Sequence, residues 1–96
     1  MIPSNRIATH PGTILLQEFL EPMGLTPKAL ATHLGIPVSR INQIIRGKRG
    51  VSSQTAWLLA EAFRTSPEFW LHLQATHDLS LHQPTTHVQP LVAIGT

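Results

Sequence analysis

Between Val38 and Arg49 the chain sets Val38, Ser39, Asn42 and Gln43 among the cations Arg40, Arg46, Lys48 and Arg49. Asn and Gln can pair bidentately with N6 and N7 of adenine, Ser can donate or accept, and Val can touch a thymine methyl. The cations suit phosphate oxygens, which fix position along a duplex without choosing its sequence. On this reading Ser39, Asn42 and Gln43 choose a site, with Gln43 the leading base reader and a lean toward A·T-containing sequences. Arg46, Lys48 and Arg49 grip the backbone, and Arg40, pointing sideways, meets a phosphate too. Thr26 and Lys28 join them, because they open the preceding helix, where unpaired N–H groups attract an anion. A solvated helix could carry the same amides with no partner; the charge distribution favours the functional reading. No Asp or Glu lies between Glu21 and Glu61, while Lys28, Arg40, Arg46, Lys48 and Arg49 all do. A segregated basic face on a chain of net charge +2 suits a polyanion.

Other chemistries fit less well. His72, His77, His82 and His87 recur every five residues, and on a helix five residues turn a side chain about 140° away from its starting face. They do not converge on one ion, and no His-Glu-x-x-His pattern is present, so neither a metal nor another cofactor is expected. His10 is a cap or packing residue, and His33 an exposed one. No nucleophile is paired with a base and no carboxylates are spaced for acid–base work, so an enzyme is not expected. The RGKRG run lacks the Walker spacing and follows a helix rather than a strand.

The elements that position the site can be read from caps and periodicity. Thr26 is a good N-cap and Pro27 fits the first helical position. Leu30, Ala31 and Leu34 then recur at helical spacing. Gly35 supplies the left-handed turn, Pro37 opens a second helix, Ile41, Ile44 and Ile45 form its buried face, and Gly47 ends it. Two helices joined by a Gly-containing turn make a helix-turn-helix, with small Ala31 letting them approach closely. A plain helical hairpin shares some of these features. Upstream, Ile14, Leu15, Leu16, Phe19 and Leu20 predict a helix from about Pro11 to Glu21, ended by Pro22 and Gly24. Downstream, Ser52 or Ser53 caps a helix with apolar Ala56, Trp57, Leu59, Ala60 and Phe63, ending near Arg64. Ser66-Pro67-Glu68 starts a fifth, bearing Phe69, Trp70, Leu71 and Leu73.

The 96 residues predict one all-α domain at 1–81, with a modest core, and an extended or flexible tail at 82–96, with a short strand at Leu91–Ile94 as an option. The absence of Cys rules out disulfides and thiolate metal sites. MIPSNRIATHPG lacks the apolar run of a signal peptide, and no stretch approaches the ~20 apolar residues of a membrane span, so a soluble, cytoplasmic protein is expected. One helix reads few base pairs, so a homodimer is expected, with two copies about 34 Å apart on a palindrome. Phe69, Trp70 and Leu73, with Leu79 and Leu81 beyond, are its candidate interface; Trp70 alternatively closes the monomer core.

HPGTILLQEFLEPMGLT, GIPVSRINQIIRGKRGVSSQTAWLLAEAF and TSPEFWLHLQATHDL together resemble the HigA-type antitoxins, also called the virulence-associated protein I family, within the Xre group of helix-turn-helix regulators. The resemblance covers about Thr9 to Leu81. The helix-turn-helix alone indicates the wider group; the leading HPG and the TSPEFWLHLQ block are more specific. It implies a five-helix lambda-repressor-like fold and a dimeric repressor of its own operon that neutralises a RelE-like toxin, an enzyme that cleaves messenger RNA. Val38 departs from the polar residue common at the start of such recognition helices, and the tail is unusually poor in charge. A solitary Xre-type repressor and a helical protein–protein adaptor are the competing readings. By charge alone, Glu18, Glu21 and Glu61 are candidate contacts for a basic toxin.

Overall fold

The computed structural model describes residues 7–92, whose regular structure is entirely helical. α1 (residues 11–23) begins as the α-helical turn Pro11–Ile14, widens into a π-helical stretch at Leu15–Leu20 and closes as the turn Glu21–Met23. Pro22 accounts for the widening. It brings no N–H, and its ring would strike the carbonyl four residues back in a regular α-helix; a π turn relieves that crowding. The helix therefore runs through Pro22 and stops at Gly24, whose φ of 62° is left-handed.

α2 (Pro27–Leu34) and α3 (Val38–Ile45) form the expected pair. The Ala29 N–H donates to Thr26 Oγ1 at 3.0 Å, and Gly35 turns the chain at φ 73°. Pro37 is not the first residue of α3: at ψ 141° it is the extended N-cap, which leaves Val38 to open the helix. Leu30 and Ala31 of α2 and Ile41 and Ile44 of α3 are all buried. α4 (Ser53–Phe63) is capped by Ser52, whose Oγ accepts from Thr55 N–H, and stops at Arg64 in the left-handed region, φ 56°. α5 (Pro67–Leu81) is capped by Ser66.

The core gathers Leu15 and Leu20 of α1, the four residues of α2 and α3, Val51, then Ala56, Leu59 and Ala60 of α4 and Trp70 of α5. Trp70 is 0% exposed and packs among Phe19, Phe63 and Phe69, with ring centroids 5.1–6.4 Å away. Its indole N–H donates to Thr65 Oγ1 at 2.8 Å, satisfying the polar end of an otherwise apolar side chain. It closes the monomer core, so Trp70 leaves the list of candidate dimer contacts: a side chain sealed inside its own chain has no surface to offer. Trp57 is the converse. Residues 56, 59, 60 and 63 form the inward stripe of α4, and Trp57 falls beside it, 59% exposed.

Beyond α5, residues 82–92 carry no strand. Leu91 and Val92 lie in a bend and are exposed, with no neighbouring strand among the described residues to pair with. The rest of the expected Leu91–Ile94 strand lies outside the described residues.

Candidate nucleic-acid interface

α3 divides into two faces. Ile41 and Ile44 point into the core at 0% exposure. Outward, Val38 (38% exposed), Ser39 and Gln43 are exposed, and Asn42 is half-buried at the boundary. The four expected base readers therefore line the outer side of one helix. Lys28, Arg46, Lys48 and Arg49 are exposed around it, and Arg40 is half-buried. Arg40 and Arg49 come together, with Gly50, Ser52, Gln54 and Thr55, to line a polar cleft at the start of α4. By residue type both arginines are expected near phosphate, and no local pattern signals that they share a cleft with the α4 cap. Thr26 is engaged locally, its Oγ1 accepting from Ala29 N–H, which leaves its own hydroxyl proton to donate.

The segment after α3 is folded back on the helix that precedes it. The Gln43 carbonyl accepts from both Lys48 N–H (2.9 Å) and Arg49 N–H (3.2 Å), and Gly47 N–H donates to Ile44 O at 3.0 Å. The Gln43 side chain joins in, its Oε1 accepting from Arg49 Nε at 3.0 Å. On the far side, Val51 N–H donates to Gln74 Oε1 at 2.7 Å, and Gln74 Nε2 in turn donates to Asp78 Oδ1 at 2.9 Å. The basic loop is thus tied to α3 at one end and to α5 at the other.

The start of α1 braces the end of α3. Gly12 is so close to it that a Cβ there would lie 1.8 Å from Ile44 O and 2.9 Å from Ile45 Cα. His10 is the N-cap of α1, its Nδ1 accepting from Gly12 N–H at 2.8 Å. His77 meets His10 edge-on, centroids 4.8 Å apart, and its Nδ1 lies 2.7 Å from Ala8 O. A carbonyl can only accept, so His77 carries its proton on Nδ1, whereas His10 must leave Nδ1 bare. Burial lowers the His10 pKa; His77 nearby lowers it further, and Asp78 partly opposes the shift. Ser80 Oγ accepts from Ala8 N–H at 2.9 Å and donates to His77 O at 2.6 Å. These ties connect residues far apart in the sequence, and only His10, read as a cap or packing residue, gave a local sign of its role.

Residues 16–70 match the helix-turn-helix family. Virulence-associated protein I of Dichelobacter nodosus is 45% identical over 74 residues, spanning 77% of this chain and 68% of that protein. The chain belongs to the helix-turn-helix family, in its HigA-type antitoxin branch. Among solved structures, this HigA-type chain is similar to antitoxin GraA in complex with its operator, with a TM-score of 0.84 and 37% identity over 97% of this chain and all of that one. It is also similar to the Pseudomonas aeruginosa antitoxin HigA solved with the higBA promoter, with a TM-score of 0.80 and 36% identity over 88% and 98% of the two chains. Among the described residues of this HigA-type chain, no helix is long and apolar enough to cross a membrane.

Proposed function

We propose that this chain is the antitoxin of a type II toxin–antitoxin pair. It binds operator DNA as a homodimer, represses its own operon and neutralises a RelE-like toxin that cleaves messenger RNA. One observation carries the DNA-binding part: α3 buries its isoleucines and turns Val38, Ser39, Asn42 and Gln43 outward, in the middle of a segment without a single acid from residue 22 to residue 60. Laid in a major groove, that face meets base edges. Thr26, Lys28, Arg40, Arg46, Lys48 and Arg49 meet phosphates on either side. The operator- and promoter-bound relatives of the same fold support the reading.

For the dimer, Phe69 and Leu73 remain the candidates. They line an apolar groove with Ala8 and Ile14, and Leu79 and Leu81 are exposed further along α5. The toxin contact is set by charge: Glu18, Glu21 and Glu61, all exposed, offer acids to a basic partner.

Titrating the protein against a duplex carrying its own promoter, at several salt concentrations, tests the reading. Binding falls steeply with salt, and Lys48→Ala lowers the slope of log K against log salt by about 1. Gln43→Ala costs about 1–3 kcal/mol on the operator and relaxes selectivity at one position. A uniform loss across sequences would remove Gln43 from the base readers, and salt-independent binding would overturn the DNA reading. Rescue of growth when the chain is co-expressed with a small basic RelE-like neighbour tests the antitoxin half; no rescue and no complex would leave a solitary repressor.

A further inference from the structure

The contact between Arg49 and Gln43 changes what α3 can read. Arg49 Nε donates to Gln43 Oε1 at 3.0 Å across an exposed surface. A guanidinium has donors only, so it can hold the Gln43 amide in one sense: oxygen toward Arg49, Nε2 away. The same residues are held again through the backbone, where Arg49 N–H donates to Gln43 O at 3.2 Å. The pair is therefore positioned by two bonds, one main-chain and one side-chain.

A free Gln recognises adenine by accepting from N6 with its oxygen while donating to N7 with its nitrogen. In this chain one of the two lone pairs of that oxygen is already taken by a cation. Apart from the one lone pair left on Oε1, what the pair can offer a base is the Gln43 NH₂ and the remaining N–H groups of Arg49, all of them donors. Such a face matches guanine, whose O6 and N7 both accept, and opposes the N6 donor of adenine and the N4 donor of cytosine. We infer that Gln43 and Arg49 act as one specificity unit that selects guanine, with Arg49 a positioning and base-selecting residue rather than a simple phosphate grip. This reverses the A·T lean that Gln43 carries as an isolated side chain, and it rests on the proposal that α3 enters the major groove.

The test is selection of bound duplexes from a randomised pool by the full chain, followed by competition titrations with sites that differ at single positions. The unsubstituted protein selects guanine at one position of each half-site. Arg49→Ala frees the Gln43 amide, and the guanine-to-adenine preference at that position falls by roughly 10-fold or inverts, while other positions keep theirs. Arg49→Lys retains the charge and the salt dependence but lacks the planar fork, and it too loses most of the guanine preference. Both substitutions lie on an exposed loop residue, and unchanged melting curves confirm that the variants fold. Equal weakening on all four bases in Arg49→Ala, with every preference intact, overturns the inference and returns Arg49 to the phosphate contacts. Failure of the unsubstituted chain to select any sequence overturns the DNA-reading proposal itself, and the specificity unit with it.

Discussion

Gly12→Ala probes the brace behind α3. The added methyl would sit 1.8 Å from Ile44 O, 2.6 Å from Ile44 C and 2.9 Å from Ile45 Cα, against an ordinary contact that begins at 3.4 Å. All three neighbours are backbone, so no rotamer change relieves the overlap, and α1 and α3 must part. The carbonyl that is struck also accepts the Gly47 N–H that ends α3. Overpacking in a close-packed core costs about 1–3 kcal/mol and more where nothing yields, so we place this site at about 3 kcal/mol. Replacing Gly by Ala in a helix returns at most about 1 kcal/mol, which leaves a net loss of about 2 kcal/mol. For a domain of this size that lowers Tm by roughly 8–16 °C. The assay is a far-UV circular dichroism melt, repeated for Gly24→Ala as a control. At Gly24 nothing lies within 4 Å and only the left-handed φ of 62° is strained, so that variant loses about 1–2 kcal/mol without displacing α3. The two variants separate in DNA affinity measured well below their melting points: Gly12→Ala weakens it and Gly24→Ala does not. A Gly12→Ala protein that melts within about 2 °C of the parent would refute the backbone clash as the reason for glycine here.

Trp70→Ala removes the largest fully buried side chain and is expected to cost about 3–5 kcal/mol, read from urea denaturation. A folded, fully stable monomer would contradict its place in the core. Gln74→Ala leaves the Val51 N–H without its acceptor, a loss of about 1–3 kcal/mol where the group is kept from water. Because the basic loop is then untied, DNA affinity falls while base preference stays unchanged, as competition titrations would report. For His10 the folded chain favours the neutral ring, since Nδ1 must accept from Gly12 N–H and the pKa is lowered by burial first. The unfolded chain takes up a proton near pH 6.5. The contribution is therefore complete above about pH 6.5 and is lost as pH falls through the lower folded value. His10→Asn keeps a capping acceptor that does not titrate, so comparing its stability with the parent from about pH 7.5 to pH 5 isolates the effect; parallel curves would remove His10 as its source.

The helix-turn-helix was legible because its signals are local. Thr26 and Pro27 start α2, Gly35 turns the chain, and the isoleucine spacing marks the inner face of α3. Each depends on residues within one or two turns. Pro37 stands one position before the expected helix start because a proline suits both the cap and the first turn, and only its ψ decides between them. The passage of α1 through Pro22 was hidden for a related reason: a π turn has no residue signature of its own. Trp57 and Trp70 could not be told apart by type, since their burial depends on which side of a helix faces its neighbour. The ties Gln74–Val51, Ser80–Ala8 and His77–Ala8 join residues 23, 72 and 69 positions apart, and no pattern in a single chain announces them. Gln43 and Arg49 are both legible as site residues by type and position, but their pairing, which alters what Gln43 can recognise, is a fact of three-dimensional placement.

The inner side of α5 explains how so small a module is held still. Trp70 closes the core, Gln74 takes the end of the basic loop, and His77 and Ser80 secure the segment leading into α1, which in turn braces α3 through Gly12. These positions recur at about helical spacing and use one face of the helix. Leu79 lies on the opposite side of the helix and is exposed. Substitution of the outer residues can therefore change assembly without loosening α3. Substitution of the inner ones loosens α3 whether or not the chain is assembled. Sedimentation and melting measured together on Leu79→Ser and Gln74→Ala separate the two: the first alters molecular mass and leaves Tm unchanged in the monomer range of concentration, and the second lowers Tm there at constant mass. If Leu79→Ser lowers Tm in the monomer range of concentration, the two faces are not independent and the outer one also supports the fold.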